Sequence, residues 1–487
     1  MKTLALLSLI SLCAAAAAGP GDVESLAAEA RALPPEFAAD ALLRLAGVDS
    51  VAPARRLALL DDAFRRAGQA QQTYKLRSAM MGMPAPVAFL QKVNQQDLDG
   101  LDLEVRAVEA MLPLDAARAR KLFQSIPPIR LEPLKCDDSM VYDLDRFYQA
   151  MAAAARTFTD AEKQAGETLR FLRPFAAVRA PSQVGPMAAA IAGSGLNDGD
   201  FTTLVNAFAA SLGKIAGDDR SFSAAYVAGA RIESLAEECK RRKISPLPLL
   251  EAYRLYLVTH LSGARCADDD RMQGGMVMAS SAAALEAYQA VDFAGFFNQK
   301  LRTDPLQPIQ EAEATPARLE GAVTGLRTCE DEDCQAISTA FRGLVLTSQG
   351  TTVPPADRAS KDWRDRHAAL LQKLEAWKPG EHTTPAEHFR EKVLLYSDLL
   401  SISPAGEPRD GAVRSEISYL LHSREEAATR MEWFLPLNAL LARTSLDPVG
   451  YGAYRAELEK SADPVAALYA KLEAVAPRPP DRVISLL

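Results

Sequence analysis

An excess of positive charge is lacking, and tryptophan and strand-forming runs are scarce, in this chain of 487 residues. Acidic residues outnumber basic ones, 63 to 55, for a formal net charge of −8. A phosphate backbone is held by basic faces, so neither nucleic acid nor an anionic membrane surface is expected as a partner. The longest basic run, Lys240–Lys243, reads as a helix end, where cations complement the dipole. Three tryptophans and an aromatic content of 7% argue against grooves that stack sugar rings on aromatic faces. A membrane span needs about 20 apolar residues, and beyond the N-terminus no stretch of that length lacks charge. The strand candidates Leu344–Leu346 and Val483–Leu486 are too brief to build a sheet alone.

Motifs of known chemistry are equally sparse. Ser211 and Lys214 match S-x-x-K, but the companion S-D-N and K-T-G motifs and G-x-S-x-G are absent, so the pair reads as a polar helix face. No C-x2-C spacing exists, which leaves no zinc framework. The acidic turns Asp268–Asp270, Glu330–Asp333 and Asp97–Asp99 lack the spacing that presents oxygens to calcium and read as solvated loops. His382 and His388 are six residues apart and so point about 240° apart around a helix, not to one ligand face. His260 belongs to an apolar stripe and reads as a core histidine, while His367 and His422 have no partner nearby in sequence. The methionines at 80, 81 and 83, and at 272, 276 and 278, read as flexible packing, not a copper site. No metal or cofactor is expected, and no residue is singled out as catalytic.

What is present begins at the N-terminus. Lys2, an apolar segment from Leu4 to Leu12 and small residues up to Ala18 have the form of a secretory leader over 1–18. The expected location is periplasmic or secreted. Hydrophobic residues make up 48% and charged ones 24%, ordinary for a folded chain, with a bias to strong helix formers. Helix starts and stops recur. Pro35 opens a segment with Phe37, Ala41 and Leu45 on one face, and Gly47 closes it. Asp115 caps a segment presenting Ala119, Phe123 and Ile126, stopped by Pro127-Pro128. Ser245-Pro246 opens one with Leu249, Tyr253, Leu257 and His260, and Thr384-Pro385-Ala386-Glu387 is a capping box ahead of Phe389, Val393, Tyr396 and Leu400. Pro436 is expected to kink or divide the helix over 431–443.

This pattern predicts an all-α fold of stacked antiparallel helix pairs, as an irregular α-solenoid or two helical lobes. Through segments such as Phe37–Leu45 and Ala116–Ile126 the chain resembles the tetratricopeptide and HEAT class of helical repeats. It is also similar to exported bacterial helical proteins of uncharacterised activity. The resemblance implies an architecture and no chemistry. The expected organisation is an N-terminal array over 19–301, a linker over 302–316, a C-terminal array over 317–475 and a tail over 476–487.

Five cysteines follow the leader. Cys239 shares a stripe with Ile232, Leu235 and Ala236 and reads as a buried free thiol. A helix of about 25 Å separates it from Cys266, too far for a bridge. Cys136 and Cys266 are candidates to pair across the array, and Cys329 and Cys334 to close a local loop. The functional expectation is an exported helical scaffold or binding protein that engages a protein or peptide partner. The alternative is an all-helical exported hydrolase or lyase, its acid and base assembled from distant residues.

Overall fold

The computed structural model describes residues 20–78, 85–217, 219–225, 227–266, 292–315, 317–319, 331–347 and 349–478. The fold is all-α, with twenty-one helices among the described residues. The first six are α1 (Pro20–Arg31), α2 (Pro35–Ala46), α3 (Pro53–Ala67), α4 (Ala85–Asn94), α5 (Gly100–Met111) and α6 (Ala116–Ser125). Then come α7 (Asp145–Arg156), α8 (Asp160–Gln164), α9 (Glu167–Leu172), α10 (Pro181–Ala192), α11 (Asp198–Leu212), α12 (Ala228–Arg241) and α13 (Leu247–Ser262). The last eight are α14 (Phe293–Phe296), α15 (Glu332–Val345), α16 (Lys361–Ala376), α17 (Pro385–Ile402), α18 (Glu407–His422), α19 (Arg430–Leu446), α20 (Pro448–Leu458) and α21 (Pro464–Val475).

Local chemistry explains several of these boundaries. Asp115 accepts a hydrogen bond from Arg118 N at the start of α6, satisfying one of the donors that a helix start leaves orphaned. Thr384 and Glu387 complete their capping box on α17. Phe37, Ala41 and Leu45 are buried on α2, and Phe389, Val393, Tyr396 and Leu400 on α17. Pro436 does not divide its helix: α19 runs from Arg430 to Leu446 with the proline inside. Leu344 and Val345 belong to the last turn of α15, and Leu346 forms only an isolated bridge with Thr352. Val483–Leu486 and residues 1–18, expected as a leader, lie outside the described residues.

Among the described residues two short ribbons interrupt the helices. β1 (Leu76–Ser78) runs antiparallel to β2 (Met140–Tyr142), with Leu76 opposite Tyr142. β3 (Ala264–Cys266) runs parallel to β4 (Ala317–Leu319). Each strand is three residues long.

Helices adjacent in sequence pack together, as α2 does on α3 and α17 on α18, but the chain also folds back on itself. α21 lies against α1 and α2, while α17 and α19 lie against α4. Phe37 of α2 meets Phe434 of α19 at 4.9 Å and Tyr469 of α21 at 6.1 Å between ring centroids. One apolar core therefore runs through helices on both sides of the 302–316 connector.

Candidate binding site

Where α4 meets α19, the segment between α3 and α4 forms the wall of a pocket. Its shape is set by side-chain amides standing in for missing strand partners. Asn94 of α4 accepts hydrogen bonds from Leu76 N at 3.0 Å and Gln72 Nε2 at 2.9 Å. Gln91 accepts from Ser78 N at 3.2 Å. Both amides satisfy backbone donors on the β1 side, which a two-stranded ribbon would otherwise expose. Gln96, buried just past α4, donates to Met431 O at 2.8 Å and accepts from Asn438 Nδ2 at 3.2 Å. That clip fixes α19 against α4 across more than three hundred residues of sequence.

The pocket has a volume of about 360 Å³, at the lower end of the range for ligand sites. Leu76, Leu90, Val93 and Met140 supply its aliphatic lining, with the rings of Tyr74 and Tyr142 edge to face at 5.9 Å. Gln72, Thr73, Asn94, Thr429 and Glu432 supply the polar lining. Glu432 is the only charged residue among them, and both of its oxygens are held by Arg390, at 2.8 and 3.0 Å. Thr429 caps α19 by accepting from Glu432 N, and the Tyr74 hydroxyl accepts from Arg130 N at 2.9 Å.

A buried charge network lies close by in the chain but does not line this pocket. Lys75 Nζ donates to Asp97 at 2.7 Å and stands 3.6 Å from Asp102. Arg146 bridges Asp97 and Glu109. Arg106 donates to the Asp97 carbonyl and to Asp40, and Asp40 also accepts from the Tyr469 hydroxyl at 2.9 Å. Burial works to raise the Asp40 pKa, but the guanidiniums of Arg106, Arg478 and Arg44 overcome it and hold the carboxyl well below its usual range. Asp102 goes the other way, to about 7, through burial and the Asp97 carboxylate. Arg478, the last described residue, thus belongs to the network that seats α21 on α2.

A second polar cluster lies between α16, α17 and α18. His388 Nδ1 is 3.3 Å from Glu426 Oε2, which accepts from the Tyr419 hydroxyl at 2.8 Å. Lys392 donates to the carbonyls of Trp377 and Glu375 near the end of α16 and sits over the Tyr419 ring. Burial lowers the pKa of both His388 and Lys392, the latter to about 8. The ammonium here acts as a cap for the C-terminal carbonyls of α16. None of these groups lines the pocket.

The residues singled out in the sequence are placed as follows. Cys136 and Cys266 form a disulfide with Cα atoms 5.4 Å apart. Cys239 is a buried free thiol on α12, its pKa raised by burial. Cys334 is buried and disulfide-bonded, and Cys329, expected to close a loop with it, lies outside the described residues. Ser211 donates to Phe208 O and accepts from Val178 N inside the protein, while Lys214 is exposed, so the S-x-x-K match assembles no nucleophile. His260 stacks on Phe222 at 4.8 Å, and His367 meets Ser403 Oγ at 2.8 Å. His382 is exposed ahead of α17, and His422 is exposed at the end of α18. Asp331 is spent as the N-cap of α15, and Asp97 is held by Lys75 and Arg146. Asp268–Asp270 and both methionine groups lie outside the described residues. Among the described residues no group of three or more His, Cys, Asp or Glu is placed to hold a metal ion. Among the described residues no helix is long and apolar enough to cross a membrane.

The pocket residues carried no signal in the sequence. Tyr74 and Tyr142 are 68 positions apart and meet only because β1 pairs with β2. Neither strand shows an alternating run long enough to be recognised. Comparison with protein-family models, curated proteins and solved structures finds no match, so the functional reading rests on this geometry.

Proposed function

We propose that this chain is an exported helical binding protein that engages a peptide segment of a protein partner in the pocket between α4 and α19. One observation carries the reading. Among the described residues the lining holds no histidine, cysteine, lysine or arginine, and its single carboxylate has both oxygens committed to Arg390. A hydrolase or lyase needs a base or nucleophile within hydrogen-bond reach of substrate, and this lining offers apolar surface with a few neutral polar groups instead. The buried His388 and Lys392 cluster is used in packing and capping. The Cys136–Cys266 disulfide supports an oxidising compartment, in keeping with the leader over 1–18.

Selection of displayed peptides on the purified protein tests this. Thr73 is exposed at the pocket, so Thr73→Trp plugs the opening without entering the core. Peptides enriched on the natural protein are expected to lose binding to the variant. Enriched peptides that bind both proteins equally would place the docking site elsewhere and remove the basis of the proposal.

A further inference from the structure

We infer that the pocket reads one uncharged apolar side chain, of leucine to phenylalanine size, from an extended peptide, and rejects lysine and glutamate at that position. This inference rests on the docking reading above and specifies its ligand. Size comes first. About 360 Å³ accommodates one large side chain with its flanking main chain. Leu76, Leu90, Val93 and Met140, with the edges of Tyr74 and Tyr142, give that side chain apolar neighbours.

Charge complementarity then selects among occupants. An incoming ammonium needs an unanswered negative charge, and the charge of Glu432 is already neutralised by the Arg390 guanidinium set against both of its oxygens. An incoming carboxylate would look to the N-terminus of α19, where Glu432 is itself the first-turn acid and already answers the dipole. Either charge would leave water without a partner, which the protein interior does not repay. Neutral hydrogen-bonding groups remain available beside Glu432 in the lining. Gln72 spends its Nε2 on Tyr74 O and Asn94 Oδ1, which leaves Oε1 as an acceptor. Thr429 and Tyr74 each accept one hydrogen bond, which leaves their hydroxyl hydrogens to donate. A peptide main chain beside the bound side chain supplies both an amide donor and a carbonyl acceptor to match them.

The test uses the full chain and acetylated, amidated tripeptides Ala-X-Ala with X as Phe, Leu, Lys or Glu, read by saturation-transfer NMR and titration. The Phe and Leu probes are expected to bind, with Lys and Glu at least about tenfold weaker, and Thr73→Trp is expected to abolish all binding. Thr73→Arg provides a gain of function: a cation at the pocket should raise the Glu probe to the level of the Phe probe or above. Lys or Glu binding as tightly as Phe, yet still lost in Thr73→Trp, would overturn the inferred selectivity and leave the docking reading standing. Phe and Leu binding unchanged in Thr73→Trp would overturn both. Failure of every probe to bind would overturn the inference. So would self-association of the protein that Thr73→Trp abolishes, since it would assign the pocket to a second copy of the chain.

Discussion

Asp40→Asn probes the contact that closes the chain on itself. Asp40 Oδ1 receives Arg106 Nη2 at 2.6 Å, and Oδ2 receives the Tyr469 hydroxyl at 2.9 Å and lies 3.6 Å from Arg478 Nη2. The three charged side chains are 5%, 12% and 10% exposed, so solvent screens them little. Asparagine keeps the size and one acceptor but removes the charge, leaving two guanidiniums near each other with their principal counter-charge gone. Breaking a buried pair from one side costs about 3–5 kcal/mol. With an unfolding entropy of about 2 cal/mol/K per residue, a chain of this length should melt roughly 3–5 °C lower. Thermal melts followed by circular dichroism give the shift, and hydrogen exchange should show lost protection on α21. The sign with pH is fixed by the depressed Asp40 pKa. Its contribution is complete above the unfolded value near 4 and is lost only as pH falls through the lower folded value. The difference between natural protein and variant should therefore be constant from pH 5 to 8. A loss below about 1 kcal/mol, or a difference that grows across that window, would refute the account of a buried, fully ionised clasp. Adding Arg478→Gln to Asp40→Asn should restore part of the loss, because the neighbouring charge is then removed as well.

Glu104 is buried against Gly68, and burial raises its pKa to about 7. Its favourable contribution is lost as pH rises from the unfolded value to 7, so Glu104→Gln should stabilise the protein by about 2–3 kcal/mol at pH 8 and be neutral at pH 4. Equal urea midpoints at pH 8 would contradict this. His367 shows the opposite dependence: burial lowers its pKa to about 4. Natural stability should therefore include a loss of about 3 kcal/mol as pH falls from 6.5 to 4. Denaturation of His367→Gln across that range should lack this component. At Gly229 on α12 an added Cβ would lie 2.9 Å from the Phe296 ring, so Gly229→Ala should destabilise by about 1–3 kcal/mol despite its better helix propensity. A melting temperature at or above the natural value would show that α14 gives way.

Much of the helical content was legible residue by residue. The capping residues Asp115 and Thr384 mark starts that α6 and α17 adopt, because a cap needs only its own side chain and a backbone N–H within the same turn. Apolar stripes such as Leu249, Tyr253 and Leu257 were equally readable, since the helical period alone places them on one side. The Pro436 helix shows where that logic weakens. A proline removes one hydrogen bond, but the aromatic contacts of Trp433 and Phe434 hold the surrounding turns in a core the sequence does not display.

The candidate site was not legible. Asn94 and Gln91 look like ordinary polar helix residues until they meet the backbone of β1, and Gln96 until it meets Met431 and Asn438. Glu432 reads as a helix-start acid, and only Arg390 on another helix reveals that its charge is already answered. Composition, caps and period by themselves determined an acidic, helical chain with scarce sheet, because those properties depend on interactions within a few residues. Which helices touch, where the pocket opens and which of its charges are neutralised were decided only by tertiary structure. Those depend on side chains tens to hundreds of positions apart, whose pairing no local period encodes.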